Sequence, residues 1–137
     1  MSFEIYISCF RDGEPSTFPR ALAEKIFGSY TTSKKDDPSW VLTFPDGDKS
    51  ELNLGPEPQI DGFMVNRPTG SPELWNGIIE ILKRTSSVLY WPGEATACVV
   101  ADAAVIPHLP PDMVESIGTP VVTTDSEKIQ DVIRSSA

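Results

Sequence analysis

Three kinds of side chain in this 137-residue chain could do chemistry: two cysteines, Cys9 and Cys98, one histidine, His108, and a run of carboxylates between Asp36 and Asp61. A nucleophile needs a base beside it, and a single histidine allows only a cysteine or serine paired with His108. That histidine sits between Pro107 and Leu109-Pro110, and no Gly-x-Ser-x-Gly turn accompanies it. Both cysteines lie in apolar, strand-like runs, FEIYISCF and ACVVA, which suit buried, reduced thiols better than activated ones. A bridge between them is open but not required. No catalytic residue emerges from these groups.

Metal ligation fares no better. There is no Cys-x-x-Cys and no paired histidine, so zinc has no ligand set. Asp46, Asp48, Ser50 and Glu57 have the spacing of a calcium loop, but Glu51 stands where such a loop needs glycine, and the flanks read as strands rather than helices. A plain hairpin is the expectation. The pairs Asp36-Asp37, Asp46/Asp48 and Glu57/Asp61 fall in turns, with nothing apolar around them to raise a pKa for acid–base work. Arg67-Pro-Thr-Gly-Ser71 precedes a helix N-terminus, a natural anion site, yet Glu73 occupies the first turn and repels anions. The expectation is no metal, no cofactor and no reaction.

Charge placement carries more information. The chain has a net charge of −9 and a pI near 4.4, which disfavours nucleic acid and anionic membrane as partners. Asp36, Asp37, Asp46, Asp48, Glu51, Glu57 and Asp61 oppose a single base, Lys49, so this segment alone carries −6. One reading is a solubilising sheet edge that discourages aggregation. The other is an acidic face that docks a basic protein, and these seven acids are its candidate residues. No signal-peptide-length apolar run accompanies Glu4, and no stretch reaches the ~20 apolar residues a bilayer span needs, so a cytoplasmic protein is expected.

The elements that must position these groups centre on Ser71–Gly93. Ser71 can cap, Pro72 suits the first helical position, and Leu74, Trp75, Ile78, Ile79 and Leu82 recur at helical spacing. The spacing predicts a main helix at 72–84, followed by a buried strand at 86–91. Flanking helices are expected at 18–27, capped by Thr17 and closed by Gly28, and at 125–134 behind a Thr124-x-x-Glu127 capping box. A short helix is expected at 110–117, and a turn capped by Asp102 and ended by Pro107. Further strands are expected at 3–10, 39–44, 49–54, 61–67, 97–101 and 120–123, with 29–38 as loop. The first strand carries bulk on both faces and should be central. The fold class is α+β: one domain with a mixed, mostly antiparallel sheet.

The runs FPRALAEKIFG, SPELWNGIIEILKR, VLYWPG and HLPPDMVESIGTPVVTT, in this order, give the chain its resemblance to small acidic bacterial immunity proteins of polymorphic or contact-dependent toxin systems. That resemblance implies a non-catalytic, cytoplasmic protein that binds and neutralises a cognate toxin, here one with a basic domain such as a nuclease. It carries over no binding residue, because that class shares no motif. The alternative is a small-molecule or regulatory binding domain with a cleft near Trp75, Tyr90 and Trp91.

Overall fold

The structure is a computed structural model that describes residues 3–34, 39–92 and 98–136. The first strand, β1 (Glu4–Arg11), alternates buried and half-buried residues, with Ile5, Ile7 and Cys9 inward. Asp12 and Gly13 both take positive φ, 52° and 82°, and fold β1 onto the short β2 (Glu14–Pro15), as an Asp-Gly hairpin turn should. Phe18–Pro19 form β3, which pairs with β7 (Gln59–Ile60). The helix expected to begin at 18 therefore begins at Arg20. Proline disfavours the helical region for the residue before it, so Phe18 stays extended and buried, and Thr17 caps nothing.

Helix α1 (Arg20–Phe27) does not stop at Gly28 in a left-handed turn; it tightens into a 3₁₀ turn over Gly28–Tyr30. The chain then enters β4 (Thr31–Lys34), where a loop was expected. This strand is polar because it is an edge, and its register shifts between Thr31 and Ser33. Bulged, hydrophilic edges resist further strand pairing, and such an edge carries no hydrophobic alternation to betray it.

The meander is as expected: β5 (Ser39–Thr43), β6 (Lys49–Asn53) and β8 (Gly62–Asn66) run antiparallel. Helix α2 (Pro72–Arg84) has the expected bounds and leads to β9 (Ser87–Tyr90) and β10 (Cys98–Val100). A 3₁₀ segment (Ala103–His108), capped by Asp102, and α3 (Pro111–Ile117) return the chain to β11 (Val121–Val122), which lies parallel to β10. Helix α4 (Ser126–Ser136) closes the described chain. Its cap is Asp125, not Thr124: the Asp125 carboxylate accepts from the N–H groups of Glu127 and Lys128.

The main sheet runs β11-β10-β9-β1-β8-β6-β5-β4, with β1 near its centre. Every pair is antiparallel except β10–β11. The fold is thus α+β with a mixed, mostly antiparallel sheet. Helices α1, α2 and α4 pack together on the inner face, over Ile5, Ile7, Leu42, Leu52, Val65 and Leu89. Each of the large apolar side chains that α2 buries stabilises by about 1.5–3 kcal/mol. On the outer face a smaller cluster joins Val88, Cys98 and Val100 to Val105 and Leu109, with Met113, Val114 and Ile117 of α3 against it. That cover lies over the β9–β10 end and reaches Phe10 at the end of β1.

Gly77 sets how closely α1 approaches α2. A Cβ built there would lie 2.5 Å from the Phe27 ring and 3.1 Å from Ile26, and Phe27 is fully buried. Alanine would gain about 1 kcal/mol of helix propensity but overpack the junction, at about 1–3 kcal/mol or more. Gly77→Ala is expected to lower the urea midpoint, and Phe27→Leu in the same chain to recover part of that loss. A Gly77→Ala protein as stable as wild type would show that the helices can separate freely.

Candidate functional site

The acids singled out from the sequence are strung along one strand rather than gathered in one place. Asp46 and Asp48 occupy the turn before β6, Glu51 lies within β6, and Glu57 and Asp61 lie beyond its far end. Asp36 and Asp37 lie outside the described residues. Leu52 of β6 points into the core, so Glu51 and its alternates Lys49 and Asn53 face outward. Five strand residues separate the two acidic ends by roughly 17 Å. Glu57 and Asp61 share a groove of about 440 Å³ with Thr17, Asn53, Gln59 and Met64.

Asp46 has a second task. One carboxylate oxygen accepts from the Asp48 N–H at 2.9 Å, and the other accepts from the Ser71 hydroxyl at 2.6 Å. Ser71 is fully buried, and its own oxygen accepts from the Thr69 hydroxyl at 2.8 Å. The hydroxyl expected to cap α2 makes no cap bond; it ties the β5–β6 turn to the helix entry instead. The Trp75 indole N–H secures the same loop by donating to the Thr69 carbonyl at 2.7 Å. The Ser71 bond, then the Asp48 N–H, hold the Asp46 carboxyl below its ordinary 3.8.

The spacing of a calcium loop does not translate into converging ligands. Asp46 is engaged as described, the buried Ser50 hydroxyl donates to the Arg67 carbonyl at 2.9 Å, and Glu57 is at the opposite end of β6. Among the described residues no group of three or more His, Cys, Asp or Glu side chains is placed to hold a metal ion.

The thiols and the histidine are equally dispersed. Cys9 belongs to the inner cluster and Cys98 to the outer one, with β9 between their strands, and neither is bridged. Burial pushes the Cys98 thiol up to about 11. His108 has a local role: its Nδ1 accepts from the Asp12 N–H at 3.2 Å and its carbonyl accepts from the Gly13 N–H. This props the β1–β2 turn.

The proposed aromatic cleft does not form from its three members. Trp91 is buried in the inner cluster, while Tyr90 lies on the outer side of the sheet, stacked on Tyr6 with ring centroids 5.3 Å apart. Trp75 alone meets a hollow, of about 270 Å³, with Phe3, Gln130, Ile133 and Arg134.

What the sequence reasoning missed is the surface Glu51 belongs to. Register places Glu4, Asn66, Glu51 and Val41 side by side across β1, β8, β6 and β5, and Tyr6, Met64, Asn53 and Ser39 in the adjacent row. All eight are half-buried and face outward. The outward alternation of Glu4, Tyr6 and Ser8 was a usable signal, but only strand pairing shows what stands beside them.

No protein-family model, curated protein or solved structure matches the chain.

Two measurements check this geometry. The depressed Asp46 pKa means stability that is present above about pH 4 and lost as pH falls through the lower, folded value. Ser71→Ala is expected to return the Asp46 carboxyl towards 3.8 in an NMR titration and to shrink that acid-dependent loss; an unmoved Asp46 titration would refute the tie. Separately, neither cysteine should react with a thiol reagent at pH 8 until denaturant is added, and rapid labelling of the native protein would contradict the burial of both.

Proposed function

We propose that the chain is a non-catalytic cytoplasmic binding protein that neutralises a cognate basic toxin domain, such as a nuclease, in the manner of an immunity protein. The observation that carries this reading is the placement of the exposed or half-buried acids Asp48, Glu51, Glu57 and Asp61 along β6 and its ends, in a chain of net charge −9. A basic substrate channel would be drawn to such a line, and complementary charge speeds encounter and excludes acidic competitors. Nucleic acid and anionic membrane would be repelled by the same field. Among the described residues no helix is long and apolar enough to cross a membrane.

The ligand-binding reading keeps one supporting observation, the hollow beside Trp75. A rise in thermal midpoint with a member of a metabolite panel, abolished by a bulky change at Ile133, would favour it.

The test of the main reading is to search the neighbouring reading frames for a basic C-terminal domain and to co-express the chain with it. The chain is expected to suppress that domain's toxicity. A variant with Asp48, Glu51, Glu57 and Asp61 changed to lysine should keep its thermal midpoint within a few degrees yet associate at least about tenfold more slowly at low salt. Asp46 is left unchanged because its reversal would break the tie to Ser71. Undiminished toxicity in the presence of wild-type chain, or no basic domain encoded nearby, would overturn the proposal.

A further inference from the structure

We propose that the hollow between the ends of β1 and α2, of about 220 Å³ and rimmed by Arg11 and Arg84, binds a small phosphate-type oxyanion, such as the phosphate of a monoester. The inference stands apart from the basic-partner reading, since none of the acids that carry that reading lines this hollow.

The first support is how the rim is built. Three segments meet there: the end of β1, the Ser16–Thr17 link from β2 to β3, and the Thr85–Ser86 turn that leaves α2. Backbone bonds fix them to one another. The Ser16 N–H donates to the Cys9 carbonyl at 2.9 Å, and the Phe10 N–H donates to the Ser86 carbonyl at 3.0 Å. The rim is therefore set before a ligand arrives, which lowers the cost of binding.

The second support is the donor set. The lining holds two arginines and no carboxylate, in a chain with 20 acids against 11 lysines and arginines. Among the described residues the Arg11 guanidinium has no hydrogen-bond or ion-pair partner, and neither do the hydroxyls of Ser16, Thr17 and Ser86. Glu14 stands opposite Arg11 in register but forms no ion pair with it. Arg84 commits its Nε to Glu80 at 2.9 Å and keeps the N–H groups of its two terminal nitrogens. Thr85 is set aside, because its hydroxyl donates to the Ile81 carbonyl at 2.7 Å and serves the end of the helix.

These donors suit a phosphate. Each guanidinium fork takes two oxygens, and the hydroxyls take what remains. A carboxylate has too few oxygens to use both arginines and the hydroxyls. Phe18 and Pro19 give the organic part of an ester an apolar contact. The negative charge of the whole chain does not decide the matter at this range, because physiological salt screens it over roughly 8 Å while the arginines act in contact. The C-terminal end of α2 opposes an anion only within its last turn, where Lys83 and Arg84 offset it. The acids Glu57 and Asp61 line a separate groove, which shares only Thr17 with this hollow.

The experiment is an NMR titration of the isotope-labelled full chain, at constant ionic strength, with inorganic phosphate, glycerol phosphate and acetate. Both phosphates are expected to shift the amides of Arg11, Ser16, Thr17 and Ser86 along one saturable curve, and acetate to bind at least about tenfold more weakly. Tighter binding of glycerol phosphate supports an ester as the ligand, and equal binding supports the free ion. Arg11→Gln should weaken phosphate about tenfold with an unchanged thermal midpoint, since this guanidinium holds nothing in the free protein. Glu80→Gln, which releases the Arg84 Nε, should tighten phosphate. The inference is overturned by shifts that never saturate, by equal affinity for phosphate and acetate, by full binding to Arg11→Gln, or by shifts confined to Lys83, Asp102 and His108 around the neighbouring hollow. None of these results bears on the basic-partner reading, which the co-expression assay decides.

Discussion

The structure depends on one burial event: the apolar stripe of α2 against the inner face of the sheet. Leu74, Trp75, Ile78, Ile79, Ile81 and Leu82 all bury, and Gly77 lets α1 close on the same helix. A two-layer domain has one core, so once α2 takes the inner face, α1 and α4 gain most by packing beside it. The outward rows of β1, β8, β6 and β5 then lie outside that core and stay half-buried. Their half-polar composition, with Glu4, Asn66, Glu51 and Asn53 among Tyr6, Met64 and Val41, is what an antiparallel sheet shows on a face that helices do not cover.

That constraint also divides the acids by role. Exposure alone does not make a carboxylate available. Asp46 is exposed, yet both its oxygens are engaged in holding the β5–β6 turn to the entry of α2. Asp48, two residues on, serves that turn through its backbone: its N–H donates to Asp46 and its carbonyl accepts from the Phe44 N–H. Glu51 is held by the strand in a row with Glu4, whereas Glu57 and Asp61 share a groove formed by the loops at the strand's end. One acidic stretch of sequence thus supplies a structural clamp, a face and a groove rim.

Much of the fold was legible because it rests on local periodicity. Helix α2 keeps its expected bounds, the β5–β6–β8 meander follows from alternation and Pro-Asp-Gly, and the bulk on both sides of β1 correctly marked it as central. What was illegible depends on partners distant in sequence. Ser71 looks like a cap until Asp46, 25 residues away, is brought to its hydroxyl. Phe18 looks helical until β7 arrives to pair with it. β4 shows no pattern because an edge strand needs none. Trp75, Tyr90 and Trp91 look like one aromatic cluster, but strand alternation sends the last two to opposite faces of the sheet. Every one of the surface rows is a product of register, which a single strand's sequence does not contain.

The same geometry separates charge from packing. Charges strung over roughly 17 Å act at a distance, so on the proposed reading they would govern how often a basic partner arrives, and salt would weaken them. The Tyr6–Tyr90 stack, by contrast, acts only on contact and belongs to the packing of the sheet, since Tyr90 also meets the outer cluster. The two contributions sit on different residues: Asp48, Glu57 and Asp61 at the periphery, and Tyr6, Tyr90 and Met64 toward the middle. The Ser8 hydroxyl beside Tyr90 ties the pair across β1 and β9, so its order follows from strand pairing and from the packing of Tyr90 against the outer cluster.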